Sequence, residues 1–536
     1  MMKEKVFTSS DYAIFMLLTC LSLAAILYFL LHWFSFGDLL AHPIVFFILS
    51  LLVLVKIANS QARWFTLLLM KRPQPIMPKP GLQVAVVTTI VPGSESLEML
   101  EQTLKALMAM DYPHDTWVLD EGDEKPVKDL CEKVGAFHFS RKNLLQYQTC
   151  DGLFQVRSKH GNYNAWLYEI GFDRYEIITA FDPDHVPVTA FLTEALGYFE
   201  DPMVGYVQAA QVYYNQKANF IARGAAEETY EYYACTQMAA YSFDQPAVIG
   251  CHNMHRAEAL KEVGGFAAHD ADDLLIGLRY QVRGWRGVYV PQILAQGLTP
   301  VDWNGYLKQQ LRWARSVIDI KFRLHRLVGK RIPPLGQAFG ALHGIFYLQN
   351  SLTTFIGLLI LIYFLASGDV PTVISPQLLP KLVLLCLALQ ACAFYRQRFY
   401  LAPRKERGLH WRAALLRYAK WPVFVLALWD VAAGRRVPYA LTSKVKTESK
   451  SLLLLIPHTL VILSIGTAFM TGMLFGHRIT WLLYALATVI VMLSFSLILT
   501  CWWEFPSPYD SSLLAAERYD RNVASPNDNA QPFGSN

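Results

Sequence analysis

The strongest constraint on this chain is a set of apolar runs at both ends, each long enough to cross a membrane, with polar sequence between them. Tyr12 to Phe34 is the first, enough residues to span roughly 30 Å of hydrocarbon as a helix. A second begins near Pro43, stays apolar from Ile44 to Ile57, and ends among Arg63, Trp64, Lys71 and Arg72, residue types that favour the interface and the cytoplasmic margin. Beyond the polar middle come Phe339 to Leu365, Leu378 to Phe394, Ser451 to Phe475 and Ile479 to Trp502, the last two forming a hairpin with His477 and Arg478 near its turn. Backbone polar groups in lipid must be satisfied internally, so runs of this length are helices. Six crossings return both termini to one side. Trp421 to Ala433 is shorter, contains Asp430, and lies between a basic cluster at Arg404, Lys405, Arg407, Arg412, Arg417 and Lys420 and another at Arg435, Arg436, Lys444, Lys446 and Lys450. A crossing there would put one cluster outside, so the segment is expected to lie in the interface.

With 53% hydrophobic residues in 536, much of the chain must face lipid. The net charge of +5 then marks membrane margins and gives no sign of nucleic-acid binding. The N-terminal run lacks a small-residue cleavage site and reads as an anchor, not a removed signal peptide. The eight cysteines are scattered, with no pair at zinc-like spacing, which suits a reducing compartment for the middle region. From about Leu82 the pattern changes. Val84 to Thr89 reads as a strand, Leu97 to Met110 as a helix and Thr116 to Leu119 as another strand, the alternation of a Rossmann-like α/β domain that runs to about Lys330. The tail after Trp503 is polar, rich in Pro, Ser and Asn, and expected to be disordered.

The middle region carries its acids in telling places. Glu176 to Ala180 reads as a buried strand, so Asp182 and Asp184 emerge at its C-terminal end, where open α/β sheets bind ligands. Two hard oxygen ligands there can hold Mg²⁺ or Mn²⁺ against the diphosphate of a nucleotide-sugar; the ordinary alternative is a strand-end turn. Asp120 ends another strand, where a carboxylate can accept from uracil or ribose or simply close an acidic turn. Lys159-His160-Gly161-Asn162-Tyr163-Asn164 starts a helix and sets a cation for a diphosphate beside a glycine that permits close approach. Asp272 and Asp273 open a further helix; the dipole favours acids there, and sugar transfer with inversion also needs a base for the acceptor hydroxyl, for which Asp273 is the candidate. Gln309, Arg312 and Trp313 fall at i, i+3 and i+4 on one helix face, offering a phosphate-binding guanidinium and a flat surface for a sugar ring, or a membrane anchor.

In this order and spacing the motifs resemble the processive membrane family-2 glycosyltransferases of the cellulose synthase type. The resemblance covers nearly the whole chain and rests on Asp120, Lys159-x-Gly161-Asn162-x-Asn164, Asp182-x-Asp184, Asp272-Asp273, Gln309-x-x-Arg312-Trp313 and Tyr439-Ala440-Leu441-Thr442-Ser443-Lys444. The last is similar to the family's gating loop, which closes over the nucleotide and here puts Thr442 and Lys444 at the donor. The resemblance implies a GT-A domain inserted between transmembrane helices, with about six crossings plus interfacial helices. It implies uridine contact by Asp120, substrate contacts by Lys159, Asn162, Asp272, Gln309 and Arg312, metal and diphosphate binding at Asp182 and Asp184, base action by Asp273, and an acceptor end held by Trp313. A channel through the crossings would carry the polymer, with Tyr347, Gln349, Asn350, Tyr363 and Trp429 as possible lining. The chain departs from cellulose synthases at Val248-Ile249-Gly250-Cys251-His252-Asn253, where they carry Phe-Phe-Cys-Gly-Ser, at Ala271, where they carry Thr, and at Thr88 to Glu95, which lacks their Pro-Thr-x-Asn-Glu. No Arg-rich signature of cyclic-di-GMP binding is present.

The expected organisation is two crossings in 1–75, a catalytic domain with a closing interfacial helix in 80–330, crossings three and four in 335–400, an interfacial helix and gating loop in 401–450, crossings five and six in 451–503, and a tail in 504–536. The expected activity is processive, inverting polymerisation of a UDP-sugar, UDP-glucose first, with export of the β-linked product across the plasma membrane. The catalytic domain and both termini would be cytoplasmic. Membrane lipids, the growing polysaccharide and accessory export or regulatory subunits are the expected partners. Transfer of a single sugar to a lipid phosphate carrier is the rival enzyme reading; a transporter or receptor with a degenerate nucleotide-binding domain is the rival outside enzymes.

Overall fold

Alternation along Val84–Ile90 sets the centre of the domain in the middle of the chain. All seven of its residues are buried, with Val84 and Val86 packed beside Leu100, Leu104 and Val118 on one face and Ala85 and Val87 beside Trp117, Tyr163 and Trp166 on the other. A strand covered on both faces belongs in the middle of a parallel sheet. The computed structural model describes residues 3–34, 36–91, 95–324, 334–435 and 451–502. In it the sheet has seven strands: β1 (Val84–Ile90), β2 (Asp115–Asp120), β3 (Phe137–Phe139), β4 (Ile177–Phe181), β5 (Val204–Ala209), β6 (Asn253–Arg256) and β7 (Arg286–Val290), in the spatial order β7-β5-β6-β4-β1-β2-β3. All pairings are parallel except those of β6, which runs antiparallel to both β4 and β5. A small sheet of Val186–Pro187, Ala295–Gly297 and Val212–Tyr213 stands beside it. This is the GT-A-like mixed sheet that the sequence leads one to expect.

Six helices among the described residues are long and apolar enough to cross a membrane: Ser9–Trp33, Pro43–Leu69, Tyr347–Ser367, Leu378–Phe399, Leu452–Leu474 and Trp481–Thr500. They agree in number and place with the expected crossings, and the sheet domain lies between the second and third. The protein is thus a membrane protein. Trp421–Ala432 is a 12-residue helix, too short for the roughly 20 residues a span needs. Its Asp430 is explained by its neighbours: Arg315 Nε lies 3.0 Å away, on the helix Trp303–Asp319, and Arg435 3.7 Å away.

The helix Trp303–Asp319 couples the two halves of the molecule. Asp302 caps it through Gly305 N–H at 2.8 Å, Tyr306 donates to Glu228 at 2.7 Å, and Lys420 pairs with the same glutamate at 2.9 Å. Trp303 Nε1 donates to Thr500 Oγ1 on the last membrane helix at 2.8 Å. Glu231 of the domain pairs with Arg63 and, at 3.0 Å, with Arg396. Of the expected channel residues, Asn350 accepts from Lys56 at 2.6 Å and Tyr363 donates to Asp369 at 2.6 Å, so both have partners of their own.

Candidate active site

Parallel strands deliver their C-terminal residues to one edge. Ile90 of β1 is in register with Asp120, and Thr88 with Phe181, so the segments after β2 and β4 leave the sheet side by side. Lys159 opens the helix Lys159–Trp166, which Ser158 caps through Gly161 N–H at 3.1 Å. A Cβ on Gly161 would overlap the carbonyl of Gln155, so the close approach needs glycine here. From this helix start Lys159 Nζ reaches Asp182 Oδ1 at 2.5 Å and the carbonyl of Gly250 at 3.0 Å. Burial works against its charge, but Asp182 first, with Tyr163 and Asp272 after it, outweighs burial and holds the ammonium well above its usual range. Asn162, one turn on, donates to the carbonyl of Leu119 at 3.2 Å and so ties this helix to the end of β2.

Asp272 and Asp273 are the first two residues of the helix Asp272–Arg283. Each accepts from the next backbone N–H: Asp272 Oδ1 from Asp273 at 3.0 Å, and Asp273 Oδ1 from Leu274 at 2.7 Å. Helix-terminal stabilisation is therefore present, yet it does not dominate. Removal from water, followed by the adjacent Asp272 charge, pushes the carboxyl of Asp273 up from the ordinary carboxylate range. Asp272 is raised as well, again by burial first, with Lys159 opposing. Lys159, Asp182, Gly250, Asp272 and Asp273 thus form one cluster, drawn from four separate stretches of sequence.

Asp184 is buried, accepts from Leu298 N–H at 3.3 Å and lies 3.2 Å from His185 Nδ1. Asp182, Asp184 and His185 each offer a donor atom, and these lie within 4.8 Å of one another. The two carboxylates of that set suit a hard divalent cation.

Asp120 is in a different situation. Its side chain is 0% exposed, and both oxygens are engaged: Oδ1 by Gly122 N–H at 2.8 Å, and Oδ2 by Glu124 N–H at 2.7 Å and by His138 Nε2 at 3.2 Å. Burial opposes its charge, but His138 and the two backbone donors outweigh burial and hold the carboxyl below its usual range. In this arrangement Asp120 shapes the 121–124 turn. Next to it, Glu121 binds the fully buried Arg141 through two N–H donors at 2.8 and 2.9 Å, and Arg141 also donates to the carbonyls of Tyr147, Phe154 and Gln155. Sequence reasoning missed Arg141, which organises the whole segment leading to Lys159; an arginine amid polar loop sequence carries no periodic signal.

Gln309, Arg312 and Trp313 share a face of the helix Trp303–Asp319, as their spacing predicts. Trp313 is 36% exposed. The end of this helix meets the segment that leads into the acidic one: His269 Nε2 lies 3.2 Å from Asp319 Oδ2, and Ile320 packs with Ala267, Ala271 and Leu275. Thr442 and Lys444, with the expected gating loop, lie outside the described residues.

Sequence reasoning also missed what stands behind the carboxylate pair. His185, Cys251 and His252 are buried together, each with a donor atom within 4.8 Å of the others. Burial and then His185 push His252 down to about 3, leaving its ring neutral. The Cys-His dipeptide in the segment that departs from cellulose synthases was the available signal.

Residues 83–316 match a family model described as "Glycosyltransferase like family 2". The chain is 28% identical over 246 residues to the cellulose synthase catalytic subunit (UDP-forming) of Pseudomonas fluorescens (strain SBW25), a match covering 44% of this chain and 31% of that relative. It is 26% identical over 306 residues to the cellulose synthase 1 catalytic subunit (UDP-forming) of Komagataeibacter xylinus, covering 55% and 38%. The chain therefore spans less than two fifths of the length of either curated relative. Among solved structures it is similar to the mannosyltransferase PcManGT from Pyrobaculum calidifontis in complex with GDP-Man and Mn²⁺, at 17% identity, 72% of this chain, 99% of that chain and a TM-score of 0.49.

Proposed function

We propose that this chain, whose residues 83–316 form a family-2 glycosyltransferase domain of the cellulose synthase type, is an inverting hexosyltransferase that polymerises a UDP-sugar. The product is a β-linked polysaccharide that leaves across the membrane. The observation that carries this reading is the convergence of Lys159, Asp182, Asp272 and Asp273 at one edge of the sheet, with a poorly solvated, up-shifted carboxyl among them. A degenerate nucleotide-binding domain has no need of such a group, and burying it costs stability.

Asp182 and Asp184 would hold Mg²⁺ or Mn²⁺, which when bound neutralises negative charge on the diphosphate leaving group. Lys159 stands between that pair and Asp272, and its ammonium can shift to a phosphate oxygen with little motion of the chain. Asp273 takes the proton of the acceptor hydroxyl as the oxygen attacks the anomeric carbon from the face opposite the diphosphate; its raised basicity fits that task. Arg312 would bind phosphate oxygens, and Trp313 would hold the acceptor end by stacking on a sugar ring. Asn162 and the Asp120 turn would border the nucleoside, and direct uridine contact by Asp120 requires that one of its three donors give way. Thr442 and Lys444 would close over the donor. The six membrane helices would carry the product outward, with Trp421–Ala432 at the interface, the catalytic domain cytoplasmic and both termini on that side. UDP-glucose is the first donor to try, since the relatives are cellulose synthases.

The test is UDP release by the full chain in detergent with UDP-glucose, UDP-N-acetylglucosamine, UDP-galactose and UDP-glucuronate, each with Mg²⁺ or Mn²⁺, alongside Asp273→Asn. High-molecular-weight product from one donor, lost in the variant, is the expected result. A singly glycosylated lipid as the only product would replace this reading with lipid-carrier transfer. UDP binding without turnover on any donor would overturn it.

A further inference from the structure

The carboxylate pair has a second chemistry at its back. β6 begins at Asn253, which pairs with Ala180 of β4 and with Gln208 of β5. Antiparallel pairing therefore brings Cys251 and His252 into the sheet at the edge where Asp182 to His185 leave it. The result is two imidazoles and a thiol, buried, with donor atoms within 4.8 Å of one another. A tetrahedral zinc site with bonds of about 2.0–2.3 Å sets its ligand atoms about 3.5 Å apart, which small side-chain rotations reach from here.

The state of His252 points to a ligand. It is 1% exposed and sits at φ +59°, a conformation uncommon for a residue with a Cβ. Its Nδ1 lies 3.0 Å from the carbonyl of Ala210 and donates to it. Its Nε2 is buried with no hydrogen-bond partner among the described residues. Metal-bound histidines are arranged in this way, one ring nitrogen donating to a carbonyl or carboxylate and the other left with its lone pair. His185 differs: the amide of Gln211 donates to its Nε2 at 3.3 Å, a bond that an ion would replace, while its Nδ1 is buried with no hydrogen-bond partner among the described residues and its ring is pressed on Gly297, where a Cβ would overlap it. Simple packing of two imidazoles would leave an unsatisfied buried acceptor, which folded proteins seldom keep.

We infer that His185, Cys251 and His252 form a second cation site that takes a nitrogen- and sulfur-preferring divalent ion such as Zn²⁺. The carboxylate pair beside it suits the hard cation of sugar transfer; this set does not, because thiol and imidazole select zinc-like ions over Mg²⁺. An ion here joins the loop after β4 to the entry of β6 and so braces the loop that carries Asp182 and Asp184. The inference does not rest on the transferase reading, and its readout is metal binding.

The experiment is a Co²⁺ titration of the EDTA-washed full chain in detergent, Co²⁺ serving as the spectroscopic stand-in for Zn²⁺. A near-ultraviolet thiolate-to-cobalt band and a tetrahedral visible band, both displaced by Zn²⁺, are expected. Cys251→Ser should lose the near-ultraviolet band, His252→Gln should lose the visible band or weaken binding, and Asp182→Asn should keep both. Absence of a thiolate band in the unaltered protein, or its survival in Cys251→Ser, overturns the site. Should Cys251→Ser aggregate, His252→Gln decides: an unchanged visible band and affinity overturns the site, and loss supports it. Silence in the UDP-release assay leaves these bands as they are.

Discussion

Asp120 and Asp273 are both acids at the edge of the same domain, and the protein treats them in opposite ways. Asp120 is supplied with three donors and held below the usual carboxylate range. Asp273 is given short-range backbone support, a like-charged neighbour and little water, and is pushed above that range. Residue type and position at an element's end are shared; the count of donors and the sign of the nearest charge are not. A fully satisfied carboxylate is a poor base and a good structural strut, whereas an under-solvated one is ready to take a proton. On the proposed function the contrast gives structure to Asp120 and chemistry to Asp273, and substitutions can break that division.

Asp273→Asn keeps the shape and removes the proposed base. Turnover should fall by about 10²–10⁴-fold, the range that general-base catalysis supplies, while UDP-sugar binding and the melting temperature stay close to those of the unaltered protein. Initial rates with isothermal donor titration test this directly. Retention of more than about a tenth of the rate would remove Asp273 from the role.

Asp120→Asn should do the reverse. Whichever oxygen becomes the amide, an N–H then faces a backbone N–H or His138, so a buried donor is stranded at about 1–3 kcal/mol. Melting temperature in detergent should drop. The pH dependence has a definite sign: the Asp120 carboxyl lies below its unfolded value, so its contribution is present above that value and lost as pH falls through the folded one. The stability gap between the unaltered protein and the Asp120→Asn variant should therefore narrow on acidification. An unchanged melting temperature with a higher KM for the donor would mean that Asp120 serves the nucleoside directly.

Much of this was legible beforehand because it is local. The membrane helices declare themselves by length and composition, and Val84–Ile90, Asp115–Asp120 and Ile177–Phe181 fall within about two residues of the runs read from the sequence. Asp272 and Asp273 open a helix, as acids at a dipole's positive end should. What was hidden is non-local. Nothing in the order of residues says that β6 inserts antiparallel between β4 and β5, yet that pairing alone puts Cys251 and His252 behind His185 and brings Gly250 to Lys159 and Asp273. Arg141 is another case: its five donated hydrogen bonds go to residues brought near by loop closure, with no spacing to announce them. Asp430 looked misplaced in an apolar run until Arg315 was found beside it.

The smallest expected effect is also the most discriminating. Of the causes that raise Asp273, removal from water stands first and the Asp272 charge second. Asp272→Asn abolishes only the second. If Asp273 is the base, as proposed, transfer needs it deprotonated, so activity falls as pH drops through its pKa, and removing a neighbouring negative charge lowers that pKa. The acid limb of kcat/KM should move to lower pH in Asp272→Asn, though not to the range of an ordinary aspartate, since burial remains. Lys159 works in the other direction: its ammonium favours the Asp273 carboxylate, so Lys159→Met should move the same limb to higher pH. Opposite displacements in the two variants, read from pH profiles on one donor, would show that a single carboxyl between two charges governs the limb. Displacements of the same sign would place the limiting proton elsewhere in the site.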